Sequence, residues 1–239
     1  MPPNQPITAV VGVGPGLGSA LAERFARGGH AVALLSRSGT SRQSTLDAIT
    51  QAGGRARGFD CDISDAVSTA RAFARIREAL GDPSVLLCNA GAFATGGILT
   101  LTPESFESAW RANCLGGFLA AREVLPAMIK AGAGTILFTG ATAALRGGAN
   151  FAGIAVGKFG QRALAQSMAR EFGPQGVHVV HVVIDGMIDT PTVRQNFPDR
   201  GDERFLSPAD IAEQYWLLHQ QPRGTWTQEL DLRPYGESF

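Results

Sequence analysis

The chain has 239 residues, 44% of them hydrophobic, and its 21 basic and 21 acidic residues cancel to a formal net charge of zero. That length points to a single domain over residues 1–239, and that apolar content excludes wholesale disorder. The charge balance leaves no basic surplus to neutralise phosphates, which argues against a nucleic-acid partner, and no run approaches the ~20 apolar residues of a membrane span.

The start, Met1–Pro6, lacks the basic-then-apolar pattern of a leader, so a cytoplasmic location is expected. Ile7 to Val13 is an unbroken apolar run that ends in glycines and reads as a strand buried on both faces. Leu17 to Arg27 places Leu17, Leu21 and Phe25 at helical spacing. A strand at Ala31–Leu35, a polar helix at Ser41–Gln51, a weaker strand at Arg55–Asp60 and a helix at Asp65–Leu80 follow. Ser84–Cys88 is a fourth strand, closed by Asn89-Ala90-Gly91, and Pro103–Lys130 reads as one helix or two in succession. Then come a strand at Gly134–Thr139, a helix at Ala155–Phe172 and a strand at Val177–Ile184. A helix at Pro208–Gln220 and a last strand at Thr225–Leu232 complete the series. This alternation implies a single-domain Rossmann-type α/β fold, a doubly wound parallel sheet of about seven strands with helices on both faces. Residues 190–207, rich in Pro, Asp and Arg and without periodicity, are the expected mobile substrate lid.

Cys61, Cys88 and Cys114 form no CxxC pair and have no histidine at ligand spacing, so free thiols in a reducing compartment and no metal site are expected. Between the first strand and the first helix stand Gly12, Gly14, Gly16, Leu17 and Gly18. Glycines there allow a tight turn and close backbone approach, and the helix start offers unpaired N–H groups to a pyrophosphate. The loop lacks the Gly-Lys-Ser/Thr of a phosphoryl-transfer site.

The spacing Gly12-x-x-x-Gly16-x-Gly18 resembles the short-chain dehydrogenase/reductase family, and so do several segments downstream. The resemblance implies that Asp62 and Ile63 of Cys61-Asp62-Ile63-Ser64-Asp65 flank the adenine of a nicotinamide dinucleotide. Cys88-Asn89-Ala90-Gly91 is similar to the family's Asn-Asn-Ala-Gly signature, with its first Asn replaced. Asn113 occupies the family's catalytic-site Asn position, and Gly186, Ile188 and Thr190 match its Pro-Gly-x-x-x-Thr segment, with Asp185 in place of Pro. An acidic residue that would hold an adenine-ribose 2′-hydroxyl belongs at the end of the second strand. Ser36 and Arg37 stand there instead, and a hydroxyl with a guanidinium suits a 2′-phosphate, so NADP(H) is expected over NAD(H).

The resemblance also implies a catalytic Ser, a Tyr, and a Lys four positions after the Tyr. Lys158 fills the Lys position, but four residues before it stands Ile154, and the Ser position holds Ala141. Phe151 fills the alternative Tyr position, seven before the Lys. Ile and Ala can neither donate a proton nor bond an oxyanion, and general acid–base assistance is worth ~10²–10⁴-fold in rate. Asp185 could serve as an acid if burial raised its pKa, or form a plain Asp-Gly turn; Thr142 offers a hydroxyl or a helix cap. His178 and His181 read as satisfied or edge positions of an apolar strand, Cys114 as a small core residue, and Tyr215 as packing in an apolar helix. Two functions follow: an oxidoreductase acting on an unknown small molecule at an atypical site built on Asn113, Lys158, Ala141 and Ile154, or a non-catalytic NADP(H)-binding sensor or assembly protein. The resemblance further implies a homodimer or homotetramer through helices at 106–130 and 151–172.

Overall fold

All seven expected strands form. The computed structural model describes residues 5–236; Met1–Asn4, part of the segment read above as leaderless, and residues 237–239 lie outside the described residues. The strands are β1 (Ile7–Val11), β2 (Ala31–Ser36), β3 (Arg55–Asp60), β4 (Val85–Cys88), β5 (Gly134–Thr139), β6 (Val177–Ile184), β7 (Met187–Ile188), β8 (Phe205–Leu206) and β9 (Glu229–Leu232). The helices are α1 (Leu17–Arg27), α2 (Thr40–Gln51), α3 (Ala66–Ala79), α4 (Pro103–Trp110), α5 (Gly116–Ala131), α6 (Ala152–Phe172), α7 (Pro191–Asn196) and α8 (Pro208–His219).

The main sheet is parallel, in the order β3-β2-β1-β4-β5-β6-β9. Such a sheet is covered on both faces, which is why β1, β2, β4 and β6 are buried throughout. One core layer joins Phe59, Phe73, Leu86, Val124, Met128 and Phe138. The opposite layer joins Leu21, Phe25, Leu34, Leu87, Val180 and Tyr215. The chain winds outward from β1 in one direction and from β4 in the other, so a crevice opens at their carboxyl ends.

Several element bounds differ from those expected, and the 103–130 stretch takes the two-helix form that was one of its two readings. β1 stops at Val11, not Val13, because Gly12 turns the chain at φ 90°. The long helix divides at Arg111–Leu115, a wide π-helical turn. Within it Asn113 Nδ2 donates to the Ala109 carbonyl at 2.9 Å and to the Ala92 carbonyl at 2.7 Å. α6 begins at Ala152 rather than Ala155, since the left-handed Asn150 (φ 67°) ends the preceding loop and Ala155 N already reaches the Phe151 carbonyl. The last strand starts at Glu229, not Thr225, because Gln221 holds Thr227 off the sheet with two hydrogen bonds of 2.8 and 2.9 Å.

The 190–207 segment carries structure of its own. β7 and β8 pair in parallel, and Asp189 N donates to the Leu206 carbonyl. Thr190 and Ser207 cap α7 and α8, each followed by a proline as first helical residue. Arg194 grips Asp189 at 2.7 and 2.8 Å and Asp202 at 2.5 Å, and lies 4.0 Å over the Phe205 ring. No helix among the described residues is long and apolar enough to cross a membrane.

Candidate active site

The glycine turn builds one wall of a cleft of about 680 Å³ at the carboxyl edge of β1, β2 and β4. Gly12 sits at φ 90°, and a Cβ on it would lie 2.5 Å from Ala90 N, so no side chain fits. Gly16 caps α1 at φ 118° and offers no side chain to its first N–H groups, which leaves them for an anionic ligand. Gly18 instead packs against the Gly12 carbonyl, and Leu17 is buried in the core, so both shape the turn from behind. Asn89 fixes the turn from β4, its Nδ2 donating to the Gly12 carbonyl at 3.0 Å. Its Oδ1 accepts from Thr139 Oγ1 at 3.2 Å, and the Tyr215 hydroxyl donates in turn to that oxygen at 2.8 Å. Tyr215 is therefore more than packing: it holds the last link of a chain that ends on the glycine turn.

At the β2 end the cleft is lined by Ser36, Arg37, Ser38 and Ser41, and opposite them by Asp62, Ile63 and Ser64. Two bonds from Ser64 hold the Asp62 carboxyl below its usual range, and Arg37 adds to the effect. The Ser36 hydroxyl is not free: it donates to the Ser38 carbonyl at 2.7 Å and accepts from Arg42 Nη1 at 2.9 Å. Arg42 also pairs with Asp60 at 2.5 Å, so it braces this corner. Sequence reading missed Arg42; its place one residue inside the α2 first turn, near the strand end, was the available signal.

At the β4 end the cleft is lined by Asn89, Ala90, Gly91, Ala92 and Phe93. Asn113 and Lys158 converge beneath Gly91: a Cβ there would lie 2.8 Å from Asn113 Oδ1 and 3.8 Å from Lys158 Nζ. Asn113 is fully buried, and its Oδ1 has no hydrogen-bond partner. Lys158, only 5% exposed, donates to the Thr139 carbonyl at 2.6 Å and to Gln161 Oε1 at 3.3 Å. Burial pushes its ammonium down to about 8, and pushes the neighbouring Cys88 thiol up to about 12. Ala141 leaves β5 in extended conformation, and Ile154 is buried one turn before Lys158 on α6.

Asp185, 5% exposed, accepts from the Thr142 hydroxyl and lies 3.2 Å from Arg233 Nη1. It is thus an ion-paired carboxylate, not a bare turn residue. Gly186 backs onto Pro234, Ile188 packs on the core, and the Thr190 methyl comes to the Gly16 turn. His178 and His181 are only half satisfied. Each bonds through one ring nitrogen, to the Thr227 carbonyl and to Glu229, while His178 Nδ1 and His181 Nε2 have no partner. Cys114 is half-buried rather than core, packed against Gly160. Among the described residues, no cluster of three His, Cys, Asp or Glu side chains could hold a metal ion.

The profile of the short chain dehydrogenase family matches residues 6–201. The chain belongs to that family. Among curated relatives of this short-chain dehydrogenase is the 3-oxoacyl-[acyl-carrier-protein] reductase MabA of Mycobacterium tuberculosis, 32% identical over 185 residues, which are 77% of this chain and 70% of MabA. A short-chain dehydrogenase structure from Rhodopseudomonas palustris superposes with TM-score 0.85 at 36% identity, covering 98% of this chain and all (100%) of that one. A metagenomic short-chain oxidoreductase solved in complex with NADP superposes with TM-score 0.83 at 26% identity, covering 97% and 98%. This short-chain dehydrogenase thus shares the family's doubly wound sheet, and its glycine turn occupies the position read from the sequence.

Proposed function

We propose that the protein is an oxidoreductase that binds NADP(H) across the cleft and transfers hydride to or from a small molecule at a site short of the usual proton donors. The residues fit the cofactor: an uncapped helix start behind a Cβ-free turn suits a pyrophosphate. The observation that carries NADP(H) is the β2 corner, where Arg37 and the Ser38 and Ser41 positions line the cleft and no acidic residue lies between Ser36 and Ser41. The NADP seen in the metagenomic relative supports the same reading. When bound, the nicotinamide supplies or accepts the hydride. The chain's own residues hold and shield it: Asn89 fixes the turn, Lys158 and Asn113 form the polar floor under Gly91, and Ala141 and Ile154 leave the reacting end without a hydroxyl.

Fluorescence titration tests the cofactor reading. Arg37→Ala is expected to weaken NADPH binding by about 10-fold or more, as loss of a charge-assisted contact would. NADH binding should barely change; equal losses for both would overturn the assignment. The missing hydroxyls favour a second reading, a non-catalytic NADP(H) binder. Turnover of any carbonyl or imine substrate with NADPH would exclude it. Self-association is part of the proposal, supported by the exposed Phe118, Val156 and Phe159 on α5 and α6; sedimentation measurements showing only monomer would remove it.

A further inference from the structure

The hydroxyl and carboxyl groups beside Ala141 already have partners. The Thr142 hydroxyl, beside Ala141, is given to Asp185, and Asp185 is paired with Arg233. Lys158 turns two of its three N–H bonds into the core. Phe93 lines the cleft and meets Phe151 edge-on, with centroids 5.9 Å apart, and Phe151 precedes Ile154 by one helical turn of α6. Both rings are open to solvent, at 73% and 40% exposure. Asp185 and Asp231 share one guanidinium, Arg233, which sits 2.7 Å from Asp231.

A neutral carbonyl is a poor hydride acceptor in such a place. Its reduction makes an alkoxide beside a newly cationic nicotinamide, and separating charge where no hydroxyl is free to receive the alkoxide is costly. An iminium ion avoids both difficulties. We propose that the substrate is an iminium cation, reduced at the expense of a reduced nicotinamide dinucleotide. A ring C–H bond of the dihydronicotinamide breaks and its hydrogen leaves with both electrons, a C–H bond forms at the iminium carbon, the C=N π pair becomes the nitrogen lone pair, and the product is a neutral amine. The dinucleotide loses two electrons and takes up the positive charge, so the charge within the site is unchanged and no proton moves. The two phenylalanine rings suit a cation in the mouth of the cleft. This inference rests on the proposed binding of NADP(H).

The test compares N-methyl-3,4-dihydroisoquinolinium with 1-tetralone, a neutral ketone of the same bicyclic size, each with NADPH and the full chain. NADPH binding is measured separately by fluorescence. The iminium should be reduced with a kcat/KM at least about 100-fold higher than the ketone, the lower end of what acid assistance is worth. A second readout needs no turnover: N,N-dimethyl-1,2,3,4-tetrahydroisoquinolinium, a cation that cannot accept hydride, should bind the NADPH-loaded protein, and Phe151→Leu should weaken that binding about 2–5-fold without changing the affinity for 1-tetralone. Comparable turnover of the ketone, equal turnover of a neutral quinone, or no iminium reduction by a protein that binds NADPH would each overturn the iminium assignment. Failure to bind NADPH would overturn the cofactor reading beneath it.

Discussion

Thr139 does three things with one residue. Its hydroxyl donates to Asn89, the same oxygen accepts from Tyr215, and its carbonyl takes the Lys158 ammonium. Removing the Tyr215 hydroxyl leaves a buried oxygen one bond short, which costs about 1 kcal/mol of stability. Tyr215→Phe should therefore lower the urea midpoint and weaken NADPH binding modestly, because Asn89 loses a neighbour that fixes it. Unchanged cofactor affinity would show that the link to the glycine turn carries no energy. The glycines were legible in the sequence as a turn between a strand and a helix, whereas Asn89, Asn113 and Lys158 were marked only by the resemblance of their segments to those of the family. Tyr215 was not, since a tyrosine among apolar helix neighbours reads as packing, and its partner lies 76 residues away. Nor was the Ser36 bond to Arg42, which depends on how α2 lies over the end of β2.

The segment between β7 and α8 was expected as a loop, and two-residue strands are too short for any periodicity to show them. Its helix starts were legible, as Thr190-Pro191 and Ser207-Pro208 are cap-and-proline pairs. What orders it is one guanidinium holding two carboxylates and an aromatic face. Those carboxylates in turn hold Arg194 above the usual arginine range. If this segment is the substrate lid, Arg194→Ala frees it. Limited proteolysis should then cut within 190–207 several-fold faster in the variant, and saturating NADPH should slow that cleavage through the Thr190 contact with the Gly16 turn. Equal cleavage rates would assign the ordering to β7–β8 pairing alone.

Over the whole molecule, pH acts chiefly through histidines. His30, His181 and His219 are held down to about 4, in each case first by burial. His219 adds to the effect at His30, while Glu229 opposes it at His181. The unfolded chain binds protons near the ordinary value of about 6.5, so between 6.5 and 4 it holds more protons than the folded one. Stability is thus fully present above about 6.5 and falls with pH toward 4, by up to about 1.4 kcal/mol per pH unit for each histidine. Chemical denaturation at pH 7 and pH 5 should show a lower midpoint at pH 5. A flat profile would mean that these rings charge without unfolding the core. The parallel sheet and its strand sequence were legible from alternating apolar runs, but the neutrality of these rings was not, because it depends on what the helices cover. The run of shared protons from Tyr215 through Thr139 and Asn89 to Gly12 has a consequence for biosynthesis. The glycine turn is synthesised well before residue 215, so while the chain is being made the turn lacks the last link of its support, and a cofactor seated there would be held less firmly than in the finished fold.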